Sequence, residues 1–201
     1  MKTPHIMKGY GPLDVFLAKQ RYKVAKEKIK STKKSGRILD VGCGSYPLFL
    51  TTVDFKEKYG LDKNIETSAI ERIKEQQIVL INHYIEKKQR LPFEDNFFDV
   101  VSMLAVFEHI DPKELVRIHK EIHRVLKPGG IYIMTTPAFW TDGLLRFLAK
   151  LHLISSTISE HKGSYNRLAI LSVLQDAGFG KDKLRFGYFE LFMNTWATAT
   201  K

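Results

Sequence analysis

The stretch Ile38-Leu39-Asp40-Val41-Gly42-Cys43-Gly44-Ser45 constrains this chain more than any other. An apolar strand runs straight into two glycines one residue apart, and a helical pattern follows. That is how an open α/β sheet begins, and such a sheet gathers its ligands at the carboxyl ends of its strands. Glycine has no side chain, so the backbone there can approach a ligand closely. Alone, the G-x-G is weak, because a turn without any ligand also uses glycine for its φ angles.

The rest of the chain keeps the same rhythm. Apolar runs at 37–41, 58–61, 78–85, 98–106 and 131–135 predict strands, and helical patterns at 46–53, 64–77 and 112–126 fall between them. Lys127-Pro128-Gly129-Gly130 should stop the third of these helices. Regular alternation implies parallel strands with helices on both faces. Two further helical stretches, 141–153 and 166–177, precede strand-like runs at 184–190 and 194–200, which are close enough to pair as an antiparallel hairpin. The expected fold is therefore α/β: a doubly wound, Rossmann-like sheet, mostly parallel, with an antiparallel C-terminal hairpin and helices on both faces.

Length and composition exclude several classes. A chain of 201 residues suits one domain with a continuous core. No apolar run approaches the roughly 18 residues that span a bilayer, and the first residues, MKTPHIMKGYGPLD, lack the apolar stretch of a secretory signal. A soluble, cytoplasmic protein is expected. The single cysteine, Cys43, leaves no internal disulfide and no cysteine-based metal cage. The net charge of +10 is uneven: up to Arg37, eleven Lys and Arg residues face only Asp14 and Glu27. A loose helical period in Leu13, Phe16, Leu17, Val24 and Ile29 places part of this charge on a helix from about Pro12 to Ile29. Such a helix can attract phosphates or an anionic membrane surface, although a lysine-rich helix is commonly just a solvated face.

The second informative acid is Asp62, which ends the second strand about 20 residues beyond the glycine turn. A dinucleotide fold places a carboxylate at that spacing to hold ribose hydroxyls, so a ribose is implied. The third glycine of a nicotinamide site would fall at Pro47, which has no N–H to offer a pyrophosphate. A diphosphate cofactor is disfavoured.

With these features in place, Leu39-Asp40-Val41-Gly42-Cys43-Gly44 resembles the first motif of the class I methyltransferases. Three further blocks agree in order and spacing. They are Leu91-Pro92-Phe93-Glu94-Asp95-Asn96-Phe97-Phe98-Asp99-Val100-Val101, Val106-Phe107-Glu108-His109-Ile110 and Arg124-Val125-Leu126-Lys127-Pro128-Gly129-Gly130. The resemblance covers 37–137 and is similar to the branch containing ubiquinone and menaquinone biosynthesis methyltransferases. It implies S-adenosylmethionine as cofactor and S-adenosylhomocysteine as product. Gly42, Cys43 and Gly44 would line the methionine half, with Asp40 in the hydrogen-bond network below. Asp62 would hold the ribose, Ile85 and Glu86 the adenine, and Leu104 would lie beside the sulfonium. Tyr46 and Tyr84 depart from the family pattern. The chain then divides into a basic N-terminal helical extension (1–35), a cofactor-binding core (36–137), an apolar cap (138–165) and a last helix with the strand hairpin (166–201).

Transfer from a sulfonium is an in-line displacement, so alignment is the protein's main task. A hydroxyl acceptor also needs a base, for which His109 is the first candidate and His161 the second. Both have ordinary alternatives, as a cap and as a solvated loop residue. Cys43 reads as a small core residue, since direct transfer needs no thiol nucleophile. Some quinone-pathway relatives bind a metal through an acid three residues before the Glu-His pair; here that position is Ala105, so no metal is expected. Ser102-Met103-Leu104-Ala105 replaces the Pro-Pro-aromatic block of base N-methyltransferases. The expected acceptor is a small molecule, apolar or anionic, covered by an insertion that includes Phe139, Trp140, Phe147, Leu151 and Ile154. Peripheral membrane contact is compatible with that insertion. Two rivals stand beside this reading: an RNA-directed methyltransferase using the basic helix, and a non-catalytic domain of the same fold.

Overall fold

The computed structural model describes residues 13–29, 35–73, 76–87, 90–151, 153 and 161–201. The basic Lys2, Lys8, Lys30, Lys33 and Lys34, the apolar Ile154 and the end of the helix expected at 64–77 include positions outside the described residues. The chain forms α1 (Asp14–Lys28), β1 (Arg37–Val41), α2 (Leu48–Thr51), β2 (Glu57–Asp62), α3 (Thr67–Ile73), β3 (Ile78–Asn82) and β4 (Phe98–Leu104). It continues through α4 (Pro112–Val125), β5 (Leu126–Pro137), α5 (Asp142–Lys150), α6 (Arg167–Asp176), β6 (Leu184–Phe189) and β7 (Asn194–Thr200).

One seven-stranded sheet has the order β3-β2-β1-β4-β5-β7-β6. The first five strands pair in parallel, while β7 runs antiparallel between β5 and β6. Alternation along the central strands sorts side chains onto two faces. Ile38, Val100 and Ile133 join Ala25, Phe49 and Ile73 on one side, while Leu39, Val101 and Tyr132 join Ile118, Ile122 and Leu174 on the other. Helices thus cover both faces, as expected. Strand order reverses between β1 and β4, and an open sheet forms its ligand crevice at such a point.

Helix boundaries follow local chemistry. Asp111 caps α4 by accepting from Lys113 N at 2.9 Å, and Pro112 occupies the first turn, where its missing N–H costs nothing. In α1 the packing positions are Ala18 and Ala25, whereas Phe16 faces solvent. Of the larger apolar residues that marked the helix, Ile29 at its end is buried in the core, whereas Leu13 and Phe16 are exposed.

Several boundaries differ from expectation, and three of them shape the strand ends. β3 stops at Asn82, because His83 N donates to Asp62 O and the chain then turns, with Lys87 N bonding Tyr84 O. β4 stops at Leu104, where Ala105 takes a left-handed φ of 55°. Lys127-Pro128-Gly129-Gly130 lies within β5 instead of preceding it, and Gly129 N and Gly130 O pair with Lys201. Asp99, in the block before β4, accepts from Arg37 N at 2.8 Å and from Lys127 Nζ at 2.7 Å. It clamps the amino ends of β1 and β5.

Candidate active site

The chain leaves β1 through Gly42 and Gly44, both left-handed, with φ of 75° and 77°. A Cβ at Gly42 would overlap Val106 Cγ2, so this position needs glycine for two reasons, torsion and space. Gly42 N and Cys43 N both donate to Leu61 O, at 2.7 and 3.1 Å. Gly44 N donates to Asp62 Oδ2 at 2.9 Å, and Asn64 N donates to Oδ1 at 2.9 Å. The Asp62 carboxylate therefore orients the glycine turn, and each oxygen keeps a lone pair for another donor.

Above these strand ends lies a cavity of about 400 Å³. At one end it is lined by Gly42, Cys43 and Gly44, by Asp62 and Lys63, by His83 to Glu86, and by Leu104 to Val106. Eight expected residues line it together: Gly42, Cys43, Gly44, Asp62, Ile85, Leu104, His109 and His161. Glu86 also reaches it, but its Oε1 accepts from Asp111 N at 2.8 Å and Lys162 Nζ at 2.7 Å. These partners hold its carboxyl below the usual range against the opposing effect of burial, the largest contribution. Asp40 does not line the cavity. It is 4% exposed beneath the turn and accepts from Ser102 Oγ at 2.7 Å. Burial pushes its pKa up to about 7. Burial also pushes the Cys43 thiol well up, and its sulfur sits where a Cβ on Gly60 would come within 2.8 Å. That is the environment of a packing residue and not of a thiolate.

At the other end, Glu108 and His109 follow β4, and His161 arrives from the segment before α6. Glu108 O accepts from Lys162 N at 2.8 Å and Gly163 N at 3.3 Å, which pins that segment beneath the 107–109 turn. The rings of His109 and His161 consequently meet edge to face, with centroids 4.8 Å apart. The Glu108 carboxyl is buried, accepts from Thr136 Oγ1 at 3.0 Å, and is raised in pKa by burial. One ligating atom from each of Glu108, His109 and His161 lies within 4.8 Å of the others, a donor set of the kind that binds divalent metals. Sequence reasoning excluded a metal because Ala105 offers no ligand. It had no means of bringing in His161.

Several other wall residues come from the basic N-terminal helix and the apolar cap, which the sequence offered as covers for the pocket without naming these wall residues as site residues. From α1 come Asp14, Leu17, Ala18, Arg21 and Tyr22, and Pro137, Leu145 and Asn194 complete that side. The Arg21 Nε is buried and has no hydrogen-bond partner among the described residues. Its charge acts on the Glu108 and Glu190 carboxyls. A motif search cannot find such residues, because α1 reaches the cavity from outside the matching blocks. The left-handed Ala105 is a further wall residue whose backbone carries strain, a feature that clusters at functional sites.

Residues 39–134 match the methyltransferase domain family. The chain is 28% identical over 182 residues to the demethylmenaquinone methyltransferase of Chlorobaculum tepidum, covering 81% of this chain and 72% of that protein. It is 37% identical over 114 residues to an uncharacterised methyltransferase of Schizosaccharomyces pombe, across 51% of this chain and 40% of that protein. Among solved structures, an S-adenosylmethionine-dependent methyltransferase from Archaeoglobus fulgidus superposes with a TM-score of 0.65. At 18% identity, covering 94% of this chain and 99% of that one, the likeness concerns the fold.

Proposed function

We propose that the chain is a class I S-adenosylmethionine-dependent methyltransferase, as its matches to the methyltransferase domain and to a demethylmenaquinone methyltransferase support, and that it moves the methyl group to a small-molecule acceptor, apolar or anionic, by direct in-line displacement. The observation that carries this reading is one cavity lined by a glycine turn, a ribose-type carboxylate and a histidine pair. The walls fit the cofactor. A Cβ at Gly44 would meet nothing nearer than Tyr46 O at 3.8 Å, so the turn is open on that side. S-adenosylmethionine supplies a methyl group on a good leaving group, which leaves alignment to the protein.

Gly42, Cys43 and Gly44 flank the methionine portion, and Asp40 supports them from below through Ser102. Asp62 accepts from the ribose hydroxyls with its remaining lone pairs. Ile85 provides an apolar surface for the adenine, while Glu86 holds that turn against α4 and Lys162. Leu104 borders the transferred methyl. His109 accepts a proton from a hydroxyl acceptor, and His161 packs against its ring. Arg21 offers its unpartnered Nε to an anionic group on the acceptor.

Calorimetric titration with S-adenosylmethionine and S-adenosylhomocysteine tests the cofactor end. Saturable binding is expected, reduced more than tenfold in both Asp62→Ala and Gly44→Val. A folded wild-type protein that binds neither compound would overturn the enzyme reading in favour of a non-catalytic domain. The Glu108–His109–His161 donor set favours a second reading, in which a divalent cation binds the acceptor. Methyl transfer assayed after dialysis against a chelator separates the two. An unchanged rate, lost in His109→Asn, assigns the base; a rate restored only by an added cation assigns three metal ligands.

A further inference from the structure

An apolar rim surrounds the cavity mouth. On α5, Leu144, Phe147 and Leu151 are exposed at spacings of three and four residues, which forms one outward stripe. Between β6 and β7, Glu190, Leu191 and Phe192 hold φ of 51°, 54° and 68°. A left-handed φ is disfavoured for residues that carry a Cβ. The outcome of that strain is a turn tip with Leu191 87% and Phe192 67% exposed. Ala138 N donates to Met193 O at 2.8 Å, joining this tip to the segment that opens α5, where Trp140 is also exposed. Leu13 N donates to Leu153 O at 3.1 Å, joining the far side of α5 to the start of α1 and exposed Phe16. The same elements line the cavity through Leu17, Leu145 and Asn194. The elements that carry the exposed apolar side chains are thus the ones that wall this part of the cavity.

Positive charge flanks it. Lys19, Lys23 and Lys26 continue from Phe16 along the exposed side of α1, and Arg146 and Lys150 lie beside the α5 stripe. Together α1 and α5 carry seven Lys and Arg residues against Asp14, Glu27 and Asp142. A nucleic acid would use the lysines and could stack on the aromatic rings, but it would leave the exposed Leu144, Leu151 and Leu191 uncovered. A second copy would set these lysines against each other. Apolar side chains bordered by cations match the interface of a bilayer bearing anionic headgroups. No described helix is long and apolar enough to cross a membrane, so the contact is superficial.

We propose that this rim docks the protein on an anionic lipid bilayer, with α5 lying in the interface and the cavity mouth facing the lipid. Docking needs only the rim. Its corollary, that an apolar acceptor enters from the lipid phase, rests on the methyltransferase reading above.

The test is cosedimentation of the full chain with vesicles of phosphatidylcholine alone or mixed equally with phosphatidylglycerol, at low and high salt. Binding is expected to the mixed vesicles, weakened by salt, by Lys19→Glu/Lys23→Glu, and about tenfold by Phe147→Ser/Leu151→Ser. The substituted residues are exposed, so S-adenosylhomocysteine binding should be unchanged in both variants. Absence of binding to either vesicle overturns the proposal. So does binding to an RNA oligonucleotide without binding to vesicles, or a dimer in light scattering that Phe147→Ser/Leu151→Ser dissolves. If vesicles bind while S-adenosylhomocysteine does not, docking stands and the methyltransferase reading alone fails.

Discussion

The Asp40 carboxyl lies under the glycine turn with its pKa raised to about 7 by burial, which outweighs the Ser102 hydrogen bond. In the unfolded chain it ionises near its usual value of about 4. Between about pH 4 and pH 7 the folded protein thus binds the extra proton, and wild-type stability falls as pH rises through that window. The contribution is at most roughly 4 kcal/mol for a shift of this size. Asp40→Asn keeps an acceptor for Ser102 but cannot ionise. Its denaturant midpoint relative to wild type should rise from pH 4 to pH 7 and then level off; a constant difference would contradict the shift. The places of Asp40, Gly42, Gly44 and Asp62 at strand ends and in the turn were legible in the chain because they depend on short spacings. The tight fit of Gly42 against Val106 was not, since it joins residues more than sixty positions apart.

Helix α4 joins the two ends of the fold through a buried histidine. His119 Nδ1 lies 2.7 Å from Leu115 O and must therefore carry the proton there, while Nε2 lies 2.9 Å from Tyr132 Oη and accepts from it. Burial lowers its pKa to about 4. The unfolded histidine takes up a proton near pH 6.5 and the folded one does not, so stability is lost as pH falls from about 6.5 to about 4. His119→Phe would leave the Tyr132 hydroxyl without that acceptor, costing about 1–3 kcal/mol near neutrality. The gap to wild type should close on acidification, as followed by thermal melts. A gap that stays constant would show that His119 titrates in the fold as it does in the unfolded chain. The amphipathic pattern of α4 was plain in the chain, but its pairing with β5 was not. In α1 the contrast is sharper. Leu13 and Phe16 suggested a packing face, yet two small alanines approach the sheet, and the large side chains are left at the rim.

At the scale of the molecule, the sheet turns a linear series of motifs into one cavity walled by the glycine turn, Asp62 and the histidine pair, with exposed apolar and basic side chains on the elements that cover it. The +10 charge, read along the chain, pointed to phosphates or a membrane without choosing between them. The exposed leucines and phenylalanines beside the lysines favour the membrane. Fold class, strand alternation, the antiparallel hairpin and the glycine turn were all readable from the chain alone, because each rests on hydrophobic periodicity or on contacts between near neighbours. Folding added what no spacing encodes. It set His161 against His109, carried Arg21 to the cavity wall and turned Glu86 towards Lys162. Those contacts depend on where separate elements pack in space, and pairwise packing between distant segments leaves no periodic trace in a single sequence.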